Sequence, residues 1–200
     1  LLSYDIFWDV TNQHEFLLTI DASANQTSDL VMLLSLAFRL EAERLEIKRE
    51  PHSLQEILTN VEANIQRRFP EKQIILSMKQ EGQVAWVDYD YLSLTLIILF
   101  EALLSNPAQH QLAISANEEN DVWKLEIVGV DPATCQLLQT FRSSLDNQVA
   151  FRKEENFSSE NLLKLLVVIK LLDFQGLTMQ LPGSPGFTQP LAIVIPTRNN

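Results

Sequence analysis

Few residues in this sequence have the types and spacing for chemistry of their own. Its three histidines, His14, His52 and His110, and its single Cys135 stand far apart. Zinc sites draw on closely spaced ligand pairs, so none is expected. Serine, histidine and aspartate all occur, yet no nucleophile motif frames them. Trp8, Trp86 and Trp123 form no stacking series, and packing in the core or at a strand edge is the expected role of the last two. Arg39, Glu41, Glu43, Arg44, Glu46 and Lys48 read as a mixed-charge, solvated helix face. Five glycines in 200 residues leave little material for glycine-rich phosphate loops. The 26 acidic against 15 basic residues give a net charge of −11, the wrong balance for tracking nucleic-acid phosphates.

What must position any site is a chain of ordinary globular composition, 46% hydrophobic and 20% charged. Apolar runs such as Leu165–Ile169 fall far short of the about 20 residues a membrane helix needs. One cysteine excludes an internal disulfide framework and fits a reducing cytoplasm. Leu1 is not a natural start, so the sequence reads as part of a longer protein.

Leu17–Lys48 reads as one long helix, with Leu30, Leu33, Leu34, Ala37 and Leu40 on its apolar stripe and Pro51 beyond its end. Asn25, Thr27, Ser28 and Asp29 interrupt the pattern, consistent with a break or polar turn. Leu1–Val10 fits the end of a partner helix, with Thr11, Asn12 and Gln13 as the turn. Such a hairpin completes its core by dimerising, here through the stripe of Leu30, Leu33, Ala37 and Leu40.

A second region follows from Ser53. Ser53 and Glu56 form a capping box opening a helix over Leu54–Arg68, which Phe69-Pro70 ends. Strands are expected at Gln73–Met78 and Gln83–Val87, then a helix capped by Asp88 and closed near Pro107. Leu112–Ala116 and Val122–Val128 read as a strand pair, Gln136–Arg142 as a short helix and Asp146–Phe157 as a polar loop. Glu160–Phe174 is the last strong helix, ending at Gly176, and Leu177–Leu181 and Leu191–Ile195 are closing strands around a Pro-Gly loop. The fold class is therefore α+β. A helical dimerisation segment over residues 1–50 precedes a two-layer sandwich of helices on a mixed sheet over residues 53–198.

This order, with the stretches Leu36–Pro51, Ser53–Leu58, Val87–Leu92, Leu103–Asn106, Gln175–Met179 and Leu191–Pro196, resembles the C-terminal core of sensor histidine kinases. That family joins a dimerising helical hairpin to an ATP-binding sandwich of the Bergerat type. The resemblance covers about residues 15–196. It implies two asparagines four residues apart on one helix face, holding the magnesium of bound ATP. Here Asn106 keeps the second position and Ala102 takes the first. Pro107 stands for a small alanine, Gln109 for a phosphate-pairing lysine, and His110 where an aromatic residue or histidine is common. Glu101 lies one residue off that face, about 100° around the helix.

The resemblance also implies an aspartate that reads adenine, followed by two glycines. By register, Gly129 takes the aspartate position, and Asp131 and Ala133 take the glycine positions. A slipped register makes Asp131 the adenine reader, beside a stiffening Pro132. At the second glycine motif stand Asn161 and Leu163, and leucine there blocks close backbone approach to phosphate. His14-Glu15 resembles the phosphoacceptor pair but lies only 26 residues before Leu40 and lacks the usual continuation. The residues carried over are thus Asn106, Glu101, His110 and Asp131 for nucleotide, Asn106 for magnesium, and His14 as phosphoacceptor.

Two functional classes remain open. In one, the chain is a divergent two-component signalling core with impaired or absent ATP binding. It needs no cofactor and works by dimerisation and docking to a response regulator or another signalling protein. In the other, it is an active kinase domain that binds Mg-ATP and phosphorylates a histidine outside this sequence. Both imply a bacterial, cytoplasmic homodimer, alone or as part of a longer sensor, that binds no nucleic acid.

Overall fold

In the computed structural model, which describes residues 10–78, 84–107, 109–147, 158–181 and 190–197, a long helix α1 (Val10–Glu41) comes first. It runs without interruption through Thr11–Gln13 and Asn25–Asp29, where turns were expected. Polar side chains along the helix bond back one turn. Thr19, Ser23 and Thr27 each donate a hydroxyl to the carbonyl four residues earlier at 2.8 Å. Asn25 donates to Asp21 at 3.2 Å. The helix stops at Glu41 rather than Lys48, where Glu43 turns the chain with φ +50° and the Arg44 N–H reaches back to the Arg39 carbonyl at 3.1 Å. Leu1–Asp9, the expected partner helix, lies outside the described residues. No helix among the described residues is long and apolar enough to cross a membrane.

Residues Glu50–Ser53 form a strand, β1, that periodicity does not suggest, since Pro51 sits within it. Ser53 then caps α2 (Leu54–Arg68), accepting the Glu56 N–H at 3.3 Å. After β2 (Gln73–Met78) comes β3 (Val84–Val87), which pairs antiparallel with β1. Pro51 is tolerated because β1 is an edge strand of a two-stranded sheet. His52 is half-buried there, its ring 5.4 Å from that of Tyr89. Gln83, expected in the strand, lies outside the described residues.

Asp88 caps α3 (Tyr89–Leu104) by accepting the Tyr91 N–H at 3.1 Å. β4 (Gln111–Glu119) and β5 (Val122–Val128) form a hairpin longer than expected. Its turn is only Asn120-Asp121, both at positive φ, which suits strand twist and these two residue types. α4 (Pro132–Asn147) more than doubles the helix expected over Gln136–Arg142: Asp131 and Pro132 start it early, and it runs on to Asn147, taking in the first two residues of the expected polar loop. Of the expected polar loop, residues 148–157 lie outside the described residues, as does most of the Pro-Gly loop at 182–189. α5 (Ser159–Gln175) ends at Gly176 in the left-handed conformation, φ +68°. β6 (Thr178–Gln180) and β7 (Leu191–Pro196) close the chain.

The main sheet has the order β2-β4-β5-β7-β6, with β2 and β4 parallel and the other neighbours antiparallel. One face carries Leu112, Ile114, Ala116, Leu125, Ile127, Ile193 and Ile195, all buried, and the apolar sides of α2, α3 and α5 belong to the same core. Trp123 joins the two sheets, donating its indole N–H to the Val84 carbonyl at 3.1 Å. The stripe expected to dimerise instead faces the chain's own sandwich. Leu33 and Leu36 are buried on α5, with Ala37 and Leu40 packed beside them. Each such leucine contributes about 1.5–3 kcal/mol.

Candidate functional site

The C-terminal end of α3 and the residues that follow it carry several of the positions singled out above. Ala102 is buried and offers a methyl group where a metal-holding amide was implied. Ser105, not Asn106, is the C-cap, its N–H bonding the Glu101 carbonyl at 3.0 Å and its hydroxyl donating to the same carbonyl at 2.6 Å. Asn106 follows, half-buried, its carbonyl accepting the Gln109 N–H at 3.0 Å. The Gln109 amide bonds the Gln111 carbonyl, folding back on its own strand. His110 is exposed, and its carbonyl holds the start of β2 through the Gln73 N–H at 3.0 Å. His14 lies on the exposed face of α1.

Asp131 caps a helix. Its Oδ1 accepts the Thr134 N–H at 3.0 Å, its Oδ2 accepts the Thr134 hydroxyl, and its carbonyl accepts the Cys135 N–H at 3.2 Å. Helix α4 therefore begins where the resemblance implies a flexible glycine turn. Gly129 stays glycine for a local reason: its φ is +97°, and a Cβ would stand 3.1 Å from the Gln111 carbonyl. Burial, and then the Asp131 charge, push the Cys135 thiol above its usual range, which keeps it protonated and unreactive.

At the start of α5, the Ser158 hydroxyl accepts the Asn161 N–H at 3.2 Å, and Glu160 places a carboxylate in the first turn. The helix's partial positive end is thus already matched. Glu160 bonds Lys164 Nζ at 2.9 Å and accepts from Gln26 Nε2 at 2.8 Å. Burial pushes its carboxyl up, but these two hydrogen bonds outweigh it and hold it below the usual range.

Lys164 also lies 3.4 Å from Glu101 Oε2, and both side chains are under a tenth exposed. Glu101 Oε1 stands 2.7 Å from Arg68 Nη1 on α2 without a well-aligned hydrogen bond, and Arg68 reaches Asp29 of α1 at 3.1 Å. Burial raises the Glu101 carboxyl above its ordinary value, against the opposing pull of Arg68 and Lys164. Glu101 is therefore the centre of a charge cluster, rotated away from Ala102 as the helical geometry requires.

Sequence reasoning picked out Glu101 but none of its partners. Only the four-residue spacing of Glu160 and Lys164 signalled part of the cluster. Near the other end of α3, Glu56, Asn60 and Tyr89 line an open groove of about 580 Å³. Among the described residues, no three His, Cys, Asp or Glu side chains gather as a metal site. At the positions singled out for a magnesium nucleotide, Ala102 offers no amide, Asp131 is engaged in capping α4, and the α5 end holds the Glu160 carboxylate.

No protein-family profile and no curated protein matches the sequence. Solved structures do. The histidine kinase AdeS of Acinetobacter baumannii is similar over 96% of this chain and 87% of its own, at 17% identity and TM-score 0.64. Full-length ShkA in complex with AMPPNP matches over 92% of this chain and 38% of its own, at 15% identity and TM-score 0.65. The nucleotide-free catalytic domain of the histidine kinase ThkA matches over 75% and 96%, at 12% identity and TM-score 0.56. At such identities the likeness is one of architecture: a long helix followed by a helix-on-mixed-sheet sandwich, the fold of a histidine kinase core.

Proposed function

We propose that this chain is a two-component signalling core that has lost nucleotide binding and works as a homodimeric docking scaffold for a response regulator or another signalling protein. The observation that carries the reading is Asp131. Both of its carboxylate oxygens cap α4, so the residue best able to read adenine is committed to the fold. Nucleotide phosphates leave water only for magnesium, cations or converging N–H groups. Ala102 supplies no ligand atom, the α5 N-terminus is matched by Glu160, and Lys164 is held between two carboxylates.

Dimerisation is assigned to the side of α1 opposite its docked stripe. Leu17, Ile20, Val31, Leu34 and Phe38 are exposed there, and with Ala24 and Thr27 they follow the seven-residue spacing of a two-helix seam. A second copy presents the same spacing, which suits a symmetric seam.

Calorimetric titration with Mg-ATP tests the reading. No heat is expected up to millimolar nucleotide. A micromolar dissociation constant, about −8 kcal/mol, that is lost on Asn106→Ala would instead establish the active kinase, phosphorylating a histidine elsewhere.

A further inference from the structure

The edges of the two sheets are not treated alike. An edge strand shows a row of N–H and C=O groups to any passing strand, and native chains blunt such edges with short strands, proline, charge or a covering side chain. β1 and β3 are four residues each, and β1 carries Pro51. At β3 the Val84 carbonyl accepts the Trp123 indole N–H. β6 is three residues long, and Arg142 Nη1 donates to its Met179 carbonyl at 3.0 Å. β2 is the exception. It ends the five-stranded sheet, runs six residues as Gln-Ile-Ile-Leu-Ser-Met, and holds no proline, glycine or charge. Among the described residues, no strand lies beyond it.

We propose that β2 is an interaction edge whose partner is β2 of a second copy, paired antiparallel about Ile75 so that two main sheets join into one. The register follows from the way the backbone faces. Gln73 donates its N–H to the His110 carbonyl at 3.0 Å, so Gln73, Ile75 and Ser77 turn their backbone groups inward to β4. Alternation then sends those of Ile74, Leu76 and Met78 outward. Antiparallel pairing sets outward residues opposite outward residues, and like faces opposite like faces. Centring on Ile75 meets both conditions: Ile74 falls opposite Leu76 of the second copy, and Ile75 opposite Ile75. Further out, Gln73 falls opposite Ser77 and Lys72 opposite Met78, so no like charges meet.

The side chains select the same partner. Ile75 and Val128 are 40% and 53% exposed on the sheet face turned away from the helices, and they flank Ala113 in one cross-strand row. Two copies joined at Ile75 carry this apolar row unbroken from one Val128 to the other. On the helical side, Ile74 is buried and Leu76 and Met78 are half-buried against the core, and each meets its own kind. An unrelated strand would satisfy the backbone alone, whereas a second copy matches both faces by symmetry. A six-residue strand is about 20 Å long, a contact well below the about 1,200 Å² of a stable complex. The association is therefore weak and depends on concentration. It uses neither the α1 seam nor nucleotide, so it stands or falls apart from both.

Sedimentation of the full chain tests the edge, with Leu34→Glu and Phe38→Glu as the background because they take away the α1 seam. Monomers at about 10 µM should become dimers toward about 500 µM. Raising the salt should strengthen this step, since two copies of charge −11 repel. Ile75→Lys sets like charges at the centre of the pairing and should weaken it at least about tenfold. Its side chain is already exposed, so thermal unfolding should stay that of the background. Val128→Lys makes the same change on the open face away from the edge and should leave the association within about twofold. Hydrogen exchange supplies a backbone readout: the Ile74 and Leu76 amides should slow at least about twofold between the two concentrations. No dimer at about 500 µM refutes the proposal. So does Val128→Lys acting as strongly as Ile75→Lys, which would assign the contact to the open face. Full protection of both amides already at about 10 µM, unmoved by concentration, would mean that the chain covers this edge itself, and refutes it equally.

Discussion

Replacing Lys164 by methionine removes one charge from the cluster around Glu101 and keeps most of the side chain's volume. Among the described residues, Glu101, with its side chain 6% exposed, then has only Arg68 within ion-pair distance, and Arg68 is nearly half in water. Leaving a buried charge without its partner costs about 3–5 kcal/mol when no other partner remains. The surviving contact to Arg68 offsets part of this, weakened by solvent, which leaves about 2–3 kcal/mol at pH 7. For a chain of this size that lowers Tm by roughly 4–12 °C.

The pH dependence has a definite sign. Glu101 already holds its proton more tightly when folded than when unfolded, because burial disfavours its charge. Losing Lys164 removes one of the groups that opposes this, so the folded carboxyl rises further. A raised carboxyl favours the fold below its unfolded value of about 4.3 and loses that advantage as pH climbs through the folded value. The penalty of Lys164→Met should therefore be largest at neutral pH and shrink as pH falls toward the unfolded value. Glu101→Leu combined with Lys164→Met leaves no buried charge in the pair. Arg68 keeps Asp29 and Glu160 keeps Gln26, so the double variant should lie within about 1 kcal/mol of the parent. Urea denaturation at several pH values measures all of this. A single-variant loss below about 0.5 kcal/mol, or one that adds simply to that of Glu101→Leu, would refute the reasoning.

Gly176→Ala forces a side chain into φ +68° and sets its Cβ 3.1 Å from Arg49 Nη2, so thermal unfolding should show a loss of about 1–2 kcal/mol. Asp131→Ala removes the α4 cap and should cost about 0.5–2 kcal/mol, read as faster exchange confined to the start of that helix. Leu34→Glu with Phe38→Glu should convert a dimer to monomers in sedimentation without changing Tm by more than a few degrees, since both side chains are exposed. Leu33→Ala should do the reverse, lowering stability by roughly 2–3 kcal/mol and leaving any dimer intact.

Most of the sandwich is legible from local signals. Ser53, Asp88 and Gly176 mark helix ends by their own chemistry, and the alternation in Gln73–Met78 and Val122–Val128 fits one buried sheet face. β1 is hidden because its partner β3 comes 31 residues later and Pro51 argues against a strand. The length of α4 is hidden for another reason: Asp131-Pro132 is both a turn signal and a helix start, and only the capping bonds decide between them. Of the charge cluster around Glu101, only the four-residue spacing of Glu160 and Lys164 is legible. The cluster joins side chains from four helices, and no spacing within one helix reveals that Arg68 and Asp29 meet.

The stripe on α1 shows how a correct local pattern can be given the wrong partner. Leu30, Leu33, Ala37 and Leu40 do share one face, and Leu33, Ala37 and Leu40 are covered, but by the sandwich of the same chain. At about 100° per residue, Gln26 and Asp29 fall on that face too, so its apolar and polar contacts act together. Leu17, Ile20, Val31, Leu34 and Phe38 centre about 130° around the helix. One helix can therefore lie on its own sandwich and meet a second copy at once, because the two contacts share no side chain. The measurable consequences separate: Leu33→Ala should lower stability and leave sedimentation unchanged, whereas Leu34→Glu with Phe38→Glu should do the opposite.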